Sequence, residues 1–384
     1  MTQHSHFQDF HKQLTRDDSL LAAAGQQLQS GQAMCWQIGD SESYVYEKIK
    51  NGLKIIASKS PADLIIKISP SNFQHLINEE LSLFGLIYAN KLEIVKGDFT
   101  LLNHWYSAIQ QLFYGRPIWR QDMATPLASM DLNQSFDVRR DRQSASHFLQ
   151  TCGFVHLKHV FNADEIANFT ALVNDQVGKA TVDDQQSWWA KNTHDDTLCC
   201  RLTYLNQKHA IFRSLATDPR MLAIAALADQ QLLPAGNRMD GINCVMKHSN
   251  IVEGISDLAW HKDCDLGGHH LICPGLIVGV QLDRADAENG QLHFLAGSQH
   301  SSNTHIDGND PDLPLVAVET EPGDVTAHFC HVSHEAPAPK GEHAQRNVLY
   351  AGFYQQKLLD AIPEEMSYND VLFTQGDGLL NNLT

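Results

Sequence analysis

Residues 260–263 have the sequence Trp260-His261-Lys262-Asp263, which places an imidazole and a carboxylate two positions apart. If this segment is a β-strand, the side chains of His261 and Asp263 point to the same face, because successive side chains of a strand alternate. An imidazole and a carboxylate on one face are two of the three ligands of a 2-His-1-carboxylate iron site. The pair also arises by chance in a chain with 21 His, and taken alone it favours a structural His beside a solvated Asp.

The sequence around this stretch predicts a β-rich region, in which short runs of strand-forming residues are separated by turns. The turns include Glu288-Asn289-Gly290 and Pro322-Gly323-Asp324. Short strands with short turns favour a sandwich or barrel such as the double-stranded β-helix. Three histidines after the second turn are candidates for a third metal ligand: His328, His331 and His334. The predicted strands are 241–247, 260–264, 271–282, 291–295, 315–319, 325–330 and 346–354.

The first part of the chain has a different pattern. A helix is predicted over 7–31, and an amphipathic helix is predicted over 98–113. Asn51-Gly52 lies between two strand-like runs and is a strong hairpin signal. The elements predicted between the two helices are strands at 34–38, 43–50, 53–58 and 62–69, two short helices within 71–90, and a strand at 91–96.

The middle of the chain contains the predicted boundary. The segment 115–145 includes a Gly-Arg-Pro turn, a stretch over 123–135 that we expect to be irregular, and a charged, turn-rich stretch, which is typical of a linker. Residues 183–200 are polar with two adjacent Trp, and we expect either a loop over a site or an ordinary surface insertion. Residues 201–233 are predicted to be mostly helical.

Composition excludes several classes of function. The formal net charge of −17 argues against a nucleic-acid binder and against adsorption to an anionic membrane surface. None of the eight Cys forms a CxxC pair, so we expect free thiols in a reducing compartment and no structural zinc site. No secretory segment is visible, and no apolar run approaches the ~18 residues of a membrane span. The prediction is a cytoplasmic protein without a nucleic-acid partner or membrane span.

Residues 241–354 resemble the phytanoyl-CoA dioxygenase family of Fe(II)/2-oxoglutarate oxygenases. The resemblance implies that His261, Asp263 and His334 bind Fe(II), since His334 follows Gly323 by eleven residues, the spacing of the distal His in that family. It also implies that Arg346 binds the distal carboxylate of 2-oxoglutarate, for which a forked guanidinium is well suited. The motifs that support it are His-x-Asp at 261–263, Glu288-Asn289-Gly290, Gly297-Ser298, Gly323-Asp324, His334 and Arg346. The order of elements over 146–178 is similar to the start of the same domain.

The family's chemistry implies 2-oxoglutarate as cosubstrate, O2 as oxidant, and succinate and CO2 as products beside a hydroxylated substrate. The presence of Asp263 favours hydroxylation, because halogenating relatives carry a small residue there. Asn243, Arg201 and Thr326 are further candidates for contact with the cosubstrate, and a structural polar role is equally expected for each. Thr326 is included because Ala336 stands where many relatives carry Ser or Thr.

The N-terminal order of elements resembles the sterol carrier protein 2-like domain. The resemblance implies an apolar tunnel that binds lipids, whereas the alternative is a closed core. It suggests a small, apolar or acyl-bearing substrate for the oxygenase. The residues that support it are Ala62-Asp63-Leu64-Ile65-Ile66, Phe73, Ala89-Asn90-Lys91-Leu92-Glu93-Ile94 and Gly97-Asp98, with Asn90 in place of the family's usual Gly.

Together these patterns predict an α+β chain of two domains. Residues 1–118 form a sterol carrier protein 2-like α/β sandwich, 119–144 a linker, and 145–384 a double-stranded β-helix of the jelly-roll or cupin type. The competing hypothesis is a lipid-transfer or lipid-binding protein whose second domain binds metal but is catalytically silent. The intact pair Asp263 and Arg346 favours the oxygenase.

Overall fold

The structure, a computed structural model, describes residues 3–26, 28–78, 83–88, 91–254, 258–263, 275–302, 314–341 and 344–361. The described residues up to Met123, with 300–302, form one compact unit, and the other described residues form a second. Ala89 and Asn90, named above, lie outside these ranges, as do parts of the predicted strands 260–264 and 271–282. Within these ranges, no helix has the length and apolar character needed to cross a membrane.

The first unit contains a five-stranded sheet in the order β3-β2-β1-β4-β5. Strands β1 and β4 are parallel and the other pairs are antiparallel. Its strands are β1 (Ala33–Ile38), β2 (Glu42–Ile49), β3 (Gly52–Ala57), β4 (Leu64–Ile68) and β5 (Leu92–Lys96). Its helices are α1 (Gln3–Leu14), α2 (Asp18–Ala24), α3 (Pro70–Ile77), α4 (Leu83–Tyr88) and α5 (Phe99–Tyr114).

The hairpin predicted at Asn51-Gly52 is confirmed, since β2 and β3 pair across it. Gly52 has a φ of 137°, and a Cβ there would lie 2.8 Å from the backbone oxygen of Leu21 in α2. Only glycine therefore lets the hairpin approach this helix so closely. The single helix predicted over 7–31 is wrong. The chain turns after Leu14, and α2 begins anew with Asp17 as its N-cap, whose carboxylate accepts from the Leu20 N–H.

The second unit contains most of the strands. Its strands are β6 (Phe154–Leu157), β7 (Ser187–Asn192), β8 (Thr197–Leu202), β9 (Leu233–Pro234), β10 (Ile242–His248), β11 (Ile251–Glu253), β12 (Leu258–His261), β13 (Leu276–Gln281), β14 (Leu292–Leu295), β15 (Leu315–Val318), β16 (Val325–Phe329), β17 (His334–Ala336) and β18 (Gln345–Tyr354). Its helices are α6 (Arg142–Cys152), α7 (Ala163–Val177), α8 (Leu205–Lys208), α9 (Ala210–Leu215), α10 (Pro219–Ala225) and α11 (Gln356–Ala361). Short 3-10 helices occur at Gln121–Leu127, Ala226–Ala228 and Ser298–His300.

These strands form two antiparallel sheets, which is consistent with a jelly-roll oxygenase domain. The larger sheet has the order β11-β7-β8-β10-β18-β13-β16-β6, with β9 paired to β18, and the smaller sheet has the order β12-β17-β14-β15. Apolar side chains of both sheets form one buried cluster. Within it the rings of Phe154 on β6 and Phe294 on β14 stack with their centroids 4.5 Å apart.

Three local predictions for this region are wrong. Residues 183–200 contain a hairpin of β7 and β8 and not a loop, because one face of an antiparallel pair can carry polar residues towards water. Arg201 and Leu202 belong to β8, so the helices of this region begin only at Leu205. Part of the segment expected to be irregular, Gln121–Leu127, is a 3-10 helix.

Candidate metal centre

Two strands of the smaller sheet bring His261 and His334 together. His261 ends β12, His334 begins β17, and the two residues are cross-strand partners with ring centroids 4.2 Å apart. Asp263 follows β12, and its Oδ1 lies 3.5 Å from His261 Nε2 and 3.8 Å from His334 Nε2. One ligand atom from each residue lies within 4.8 Å of the others. Two imidazoles and one carboxylate that face one small space are the donor set of a non-haem Fe(II) site.

The protonation of this cluster suits a divalent metal. His334 Nδ1 lies 3.1 Å from the carbonyl oxygen of Val332. A carbonyl only accepts, so Nδ1 carries the hydrogen and Nε2 keeps its lone pair. Burial and the neighbouring His261 hold the pKa of His334 well below its usual value, which keeps the ring neutral. Burial opposes ionisation of Asp263, but His334, His261 and His328 together hold the pKa of this carboxyl well below its usual range.

The other candidate residues lie on one face of the larger sheet, because cross-strand partners share a face. Asn243 pairs with Tyr350, which pairs with Gly279, which pairs with Thr326. Arg201 pairs with Val245, two residues after Asn243, and Arg346 precedes Tyr350 by four residues on the same strand. This face extends to the metal centre through His328, two residues after Thr326, whose Nε2 lies 3.2 Å from Asp263 Oδ2. The residues that sequence analysis proposed for cosubstrate binding on this face are Arg346, Asn243, Arg201 and Thr326.

Arg346 is a buried cation that forms no ion pair with a carboxylate of the described residues. Its side chain is among the largest fully buried ones, with 1% of the residue exposed. One terminal nitrogen donates to the Gly290 carbonyl and the other lies 3.5 Å from the Tyr350 hydroxyl. Among the described residues, Nε has no hydrogen-bond partner and the guanidinium has no ion pair with a carboxylate.

The surroundings of Arg346 favour an anion at this place. Burial lowers the pKa of Arg346, which reflects the cost of holding its charge away from water. The cross-strand partner of Arg346 is a second buried cation, Lys247, which donates to the carbonyl oxygens of Ala336 and Pro337. A buried guanidinium such as that of Arg346 is costly unless an anion lies beside it.

Arg201 differs from Arg346 although both face the same side. Its guanidinium forms an ion pair with the buried carboxylate of Asp240 and lies 4.6 Å from the centroid of the Trp188 ring. The charge of Arg201 is therefore compensated within the protein. Arg346 has no ion pair with a described carboxylate, and Asp283 acts on it from beyond ion-pair distance, so Arg346 is the better candidate for binding an anionic ligand.

Asn243 and Thr326 also differ from each other. Asn243 Oδ1 is buried and has no hydrogen-bond partner among the residues described. The Thr326 hydroxyl accepts a hydrogen bond of 3.2 Å from the Gln281 side chain. An unsatisfied buried amide favours contact with a ligand, whereas the Thr326 hydroxyl already has a protein partner.

Tyr350, whose hydroxyl lies beside Arg346, is a candidate site residue that was not predicted from the sequence. Burial raises the pKa of Tyr350, so the phenol keeps its proton and can donate. A Cβ on Gly279 would lie 2.6 Å from Tyr350 Cε1, so the glycine leaves the space that the ring occupies. The alternation of strand 346–354 was a usable signal, because Arg346 and Tyr350 are an even number of residues apart and share a face.

The other histidines proposed as third ligands have different environments. The ring of His331 stacks on that of Phe329, with their centroids 5.7 Å apart. His328 contacts the second oxygen of Asp263 but does not belong to the set whose ligand atoms all lie within 4.8 Å of one another. His334 is the one brought opposite His261.

Comparison with known proteins gives one family match and several structural similarities. The profile of the phytanoyl-CoA dioxygenase (PhyH) family matches residues 149–348, which is just over half of the 384 residues. No curated protein matches the sequence. Among solved structures, the non-heme alpha ketoglutarate dependent carbocyclase SnoK from nogalamycin biosynthesis is 21% identical, with 58% of this chain and 87% of that chain covered and a TM-score of 0.47. EctD from S. alaskensis with bound Fe is 15% identical (62% and 85% covered, TM-score 0.47), and AviO1 from Streptomyces viridochromogenes Tue57 is 20% identical (58% and 97% covered, TM-score 0.45).

Proposed function

The chain belongs to the phytanoyl-CoA dioxygenase family, and we propose that it is a non-haem Fe(II)/2-oxoglutarate-dependent dioxygenase that hydroxylates a small molecule. The observation that carries the proposal is the pairing of two features on adjoining surfaces. One is the cluster of His261, Asp263 and His334, and the other is the buried guanidinium of Arg346, which has no anionic partner among the described residues. A metal-binding module without turnover has no need of the second feature.

The donor set fits Fe(II). His261 and His334 supply imidazole nitrogens and Asp263 supplies a carboxylate oxygen, the combination that binds Fe(II) while leaving positions open. When bound, Fe(II) with 2-oxoglutarate and O2 supplies the oxidation that yields succinate, CO2 and a hydroxylated substrate. The neutral state of His334 allows binding without displacement of a proton from that ring.

The protein's own groups then bind and orient the cosubstrate. Arg346 donates to the distal carboxylate of 2-oxoglutarate. Its Nε–H can form this bond, because Nε has no hydrogen-bond partner among the described residues. The Tyr350 hydroxyl, 3.5 Å from the guanidinium, adds a donor to the same carboxylate. Asn243 lies on the same face, and its side-chain Oδ1 has no hydrogen-bond partner among the described residues. Rotation of the amide by about 180° would place the NH2 group there as a donor to the cosubstrate. The Thr326 hydroxyl accepts a hydrogen bond from the Gln281 side chain, and the charge of Arg201 stays compensated by Asp240, so both residues act by supporting the face on which the cosubstrate binds.

The test is an anaerobic titration of the Fe(II)-loaded protein with 2-oxoglutarate, followed by the visible charge-transfer band of the chelated cosubstrate. We expect a band with the wild-type chain and none with His261→Ala. Fe(II) binding without any band would contradict the oxygenase and favour the catalytically silent module. Incubation of cell extract with enzyme, iron and 2-oxoglutarate, with mass spectrometry for a product one oxygen atom heavier, addresses the substrate.

A specific observation favours a second function for the N-terminal unit. Several polar ring atoms in its interior are buried without a hydrogen-bond partner among the described residues, including His11 Nε2, Trp36 Nε1, Tyr46 OH and Trp105 Nε1. The His11 ring stacks on Tyr44, and its Nδ1 contacts the Phe7 carbonyl. Burial lowers the pKa of His11 to about 4, so that Nε2 is an acceptor at neutral pH. Each unsatisfied group costs about 1–3 kcal/mol, which a ligand or water would remove.

We therefore propose that the sterol carrier protein 2-like region, residues 1–118, binds an apolar or acyl-bearing molecule that carries a hydrogen-bonding group. The domain at 145–384 would then oxidise a substrate of this class. Displacement of a fluorescent fatty acid from the full chain tests the binding, and Tyr46→Phe serves as the matched variant that removes one polar atom. A probe that does not bind the wild-type chain would contradict lipid binding and leave the oxygenase proposal untouched.

A further inference from the structure

We propose that His328 is a positioning residue of the metal centre, which donates a hydrogen bond from Nε2 to Asp263 Oδ2 and leaves Oδ1 as the single oxygen for the metal. The proposal rests on the function proposed above. It adds to the three ligands a fourth side chain that controls how one of them binds.

The two oxygens of Asp263 have different neighbours. Oδ2 lies 3.2 Å from His328 Nε2. Oδ1 lies 3.5 Å from His261 Nε2 and 3.8 Å from His334 Nε2. The separation between Oδ1 and the two ligand nitrogens leaves space for an ion between them, whereas Oδ2 is within hydrogen-bond distance of a donor. The carboxylate is thus divided into one oxygen for the metal and one for His328.

The hydrogen-bond chemistry assigns the donor. A carboxylate only accepts, so His328 Nε2 carries a hydrogen and donates it to Asp263 Oδ2. His328 Nδ1 has no partner among the described residues. Leaving this nitrogen unsatisfied in a buried place costs about 1–3 kcal/mol relative to an apolar ring. Among the described residues, the bond to Asp263 is the hydrogen bond by which the imidazole offsets that cost.

The scaffold holds His328 more firmly than it holds Asp263. His328 lies on β16, between β13 and β6, where it pairs with Ile277 and Phe154 and is 2% exposed. The ring of Phe294 packs against it, with the centroids 5.3 Å apart. Asp263 lies beyond the end of β12, and 24% of its side chain is exposed. A rigid donor in the larger sheet thus orients a carboxylate at the end of a short strand in the smaller sheet.

The consequence concerns the number of open positions on the metal. A carboxylate that binds through one oxygen leaves three positions beside two histidines, enough for a bidentate cosubstrate and O2. A carboxylate that rotated and bound through both oxygens would occupy one of these three open positions. Removal of a side chain that hydrogen-bonds to a metal ligand typically changes metal affinity or activity by about 10- to 100-fold.

The test compares His328→Gln with His328→Met in the full chain. The two side chains have nearly the same shape, but only Gln keeps an N–H that can reach Asp263. Binding of Co(II) is measured by calorimetry, and its visible ligand-field spectrum reports the coordination geometry. We expect His328→Gln to bind like the wild type, and His328→Met to bind about 10- to 100-fold more weakly with an altered spectrum.

The other possible results separate failure of the role proposed for His328 from failure of the proposed function. If wild type and His328→Met give the same affinity and spectrum, His328 only packs, and the inference fails while the proposed function stands. If both variants lose Co(II) as completely as His261→Ala does, His328 is itself a ligand and the inference also fails. If the wild-type chain binds no Co(II), the proposed function fails and the inference fails with it. Urea unfolding of the metal-free variants controls for folding, and His328→Phe replaces His328→Met should the latter not fold.

Discussion

Replacing Arg346 with Met separates a ligand-binding arginine from a structural one. Mutation of an arginine in a structural ion pair and mutation of an arginine that binds the cosubstrate both reduce activity. The two mutations differ in how they change the stability of the ligand-free protein. In this structure the buried guanidinium of Arg346 has two neutral hydrogen-bond acceptors, Gly290 O and Tyr350 OH, and no ion pair with a described carboxylate. The substitution therefore removes a buried charge and does not leave one behind.

The expected magnitudes follow from these contacts. In the ligand-free protein, loss of the two hydrogen bonds costs about 1 kcal/mol each, whereas removal of an uncompensated buried cation recovers a desolvation penalty of several kcal/mol. We expect the free energy of unfolding to fall by no more than about 1 kcal/mol, or to rise. For 2-oxoglutarate, loss of a buried charge-assisted pair costs about 2–5 kcal/mol, which corresponds to a rise in Kd on the order of 30-fold to several thousand-fold.

The matched control is Arg201→Met on the same face of the sheet. Arg201 pairs with Asp240, whose side chain is only 4% exposed. Removal of one partner from a buried ion pair typically costs about 3–5 kcal/mol, so this variant should lose stability without ligand. Urea unfolding measures the stability of both variants, and calorimetry with Mn(II) under anaerobic conditions measures 2-oxoglutarate binding. A loss of stability in Arg346→Met as large as that in Arg201→Met, with an unchanged Kd for 2-oxoglutarate, would refute the reasoning.

Three further predictions concern the metal, the acid stability and the packing of the site. His261→Ala should abolish Fe(II) binding and activity. The free energy of unfolding of the metal-free protein, measured in urea, should change by only about 1 kcal/mol. A variant that still binds one Fe(II) per chain would exclude His261 as a ligand. Burial opposes ionisation of Asp324, but His156 and the backbone N–H groups of His159 and Glu321 hold the pKa of this carboxyl below its usual value. The ionised carboxylate therefore stabilises the folded protein at pH values above the pKa of Asp324 in the unfolded chain. This stabilisation is lost as the pH falls through the pKa of Asp324 in the folded protein. Asp324→Asn should therefore lower stability at neutral pH and flatten its decline below about pH 4 in urea titrations, and an equally steep decline would contradict this. Gly279→Ala should displace the Tyr350 ring, lower the free energy of unfolding by about 1–3 kcal/mol and weaken 2-oxoglutarate binding. Gly178→Ala is the control and should leave 2-oxoglutarate binding unchanged, because a Cβ on Gly178 would lie no closer than 3.6 Å to its nearest neighbours.

Local pattern was sufficient for the elements whose signal lies in neighbouring residues. The hairpin at Asn51-Gly52, the N-terminal sheet strands and the strand over 346–354 follow from turn chemistry and alternation, which act over a few residues. His-x-Asp also marked two candidate ligands before any pairing was known, although β12 ends at His261 and Asp263 lies beyond the strand that was predicted to carry both. The polar hairpin within 183–200 escaped because its strands have a solvated face and no apolar run.

The candidate site depended on which strands pair, and in which register. Spacing alone left His328, His331 and His334 open as third ligands. Register places His334 opposite His261, and it places His328 on the other sheet, against the second oxygen of Asp263. These contacts join residues 65 or more positions apart, so no local propensity encodes them.

The two arginines show the same division between local pattern and tertiary contact. Arg201 and Arg346 are chemically identical in the sequence, and both lie on strands that face the site. Folding gives Arg201 a carboxylate from Asp240 and gives Arg346 only neutral acceptors. The residue type determines that a guanidinium can bind an anion, but burial and the position of distant carboxylates decide whether the protein already supplies one.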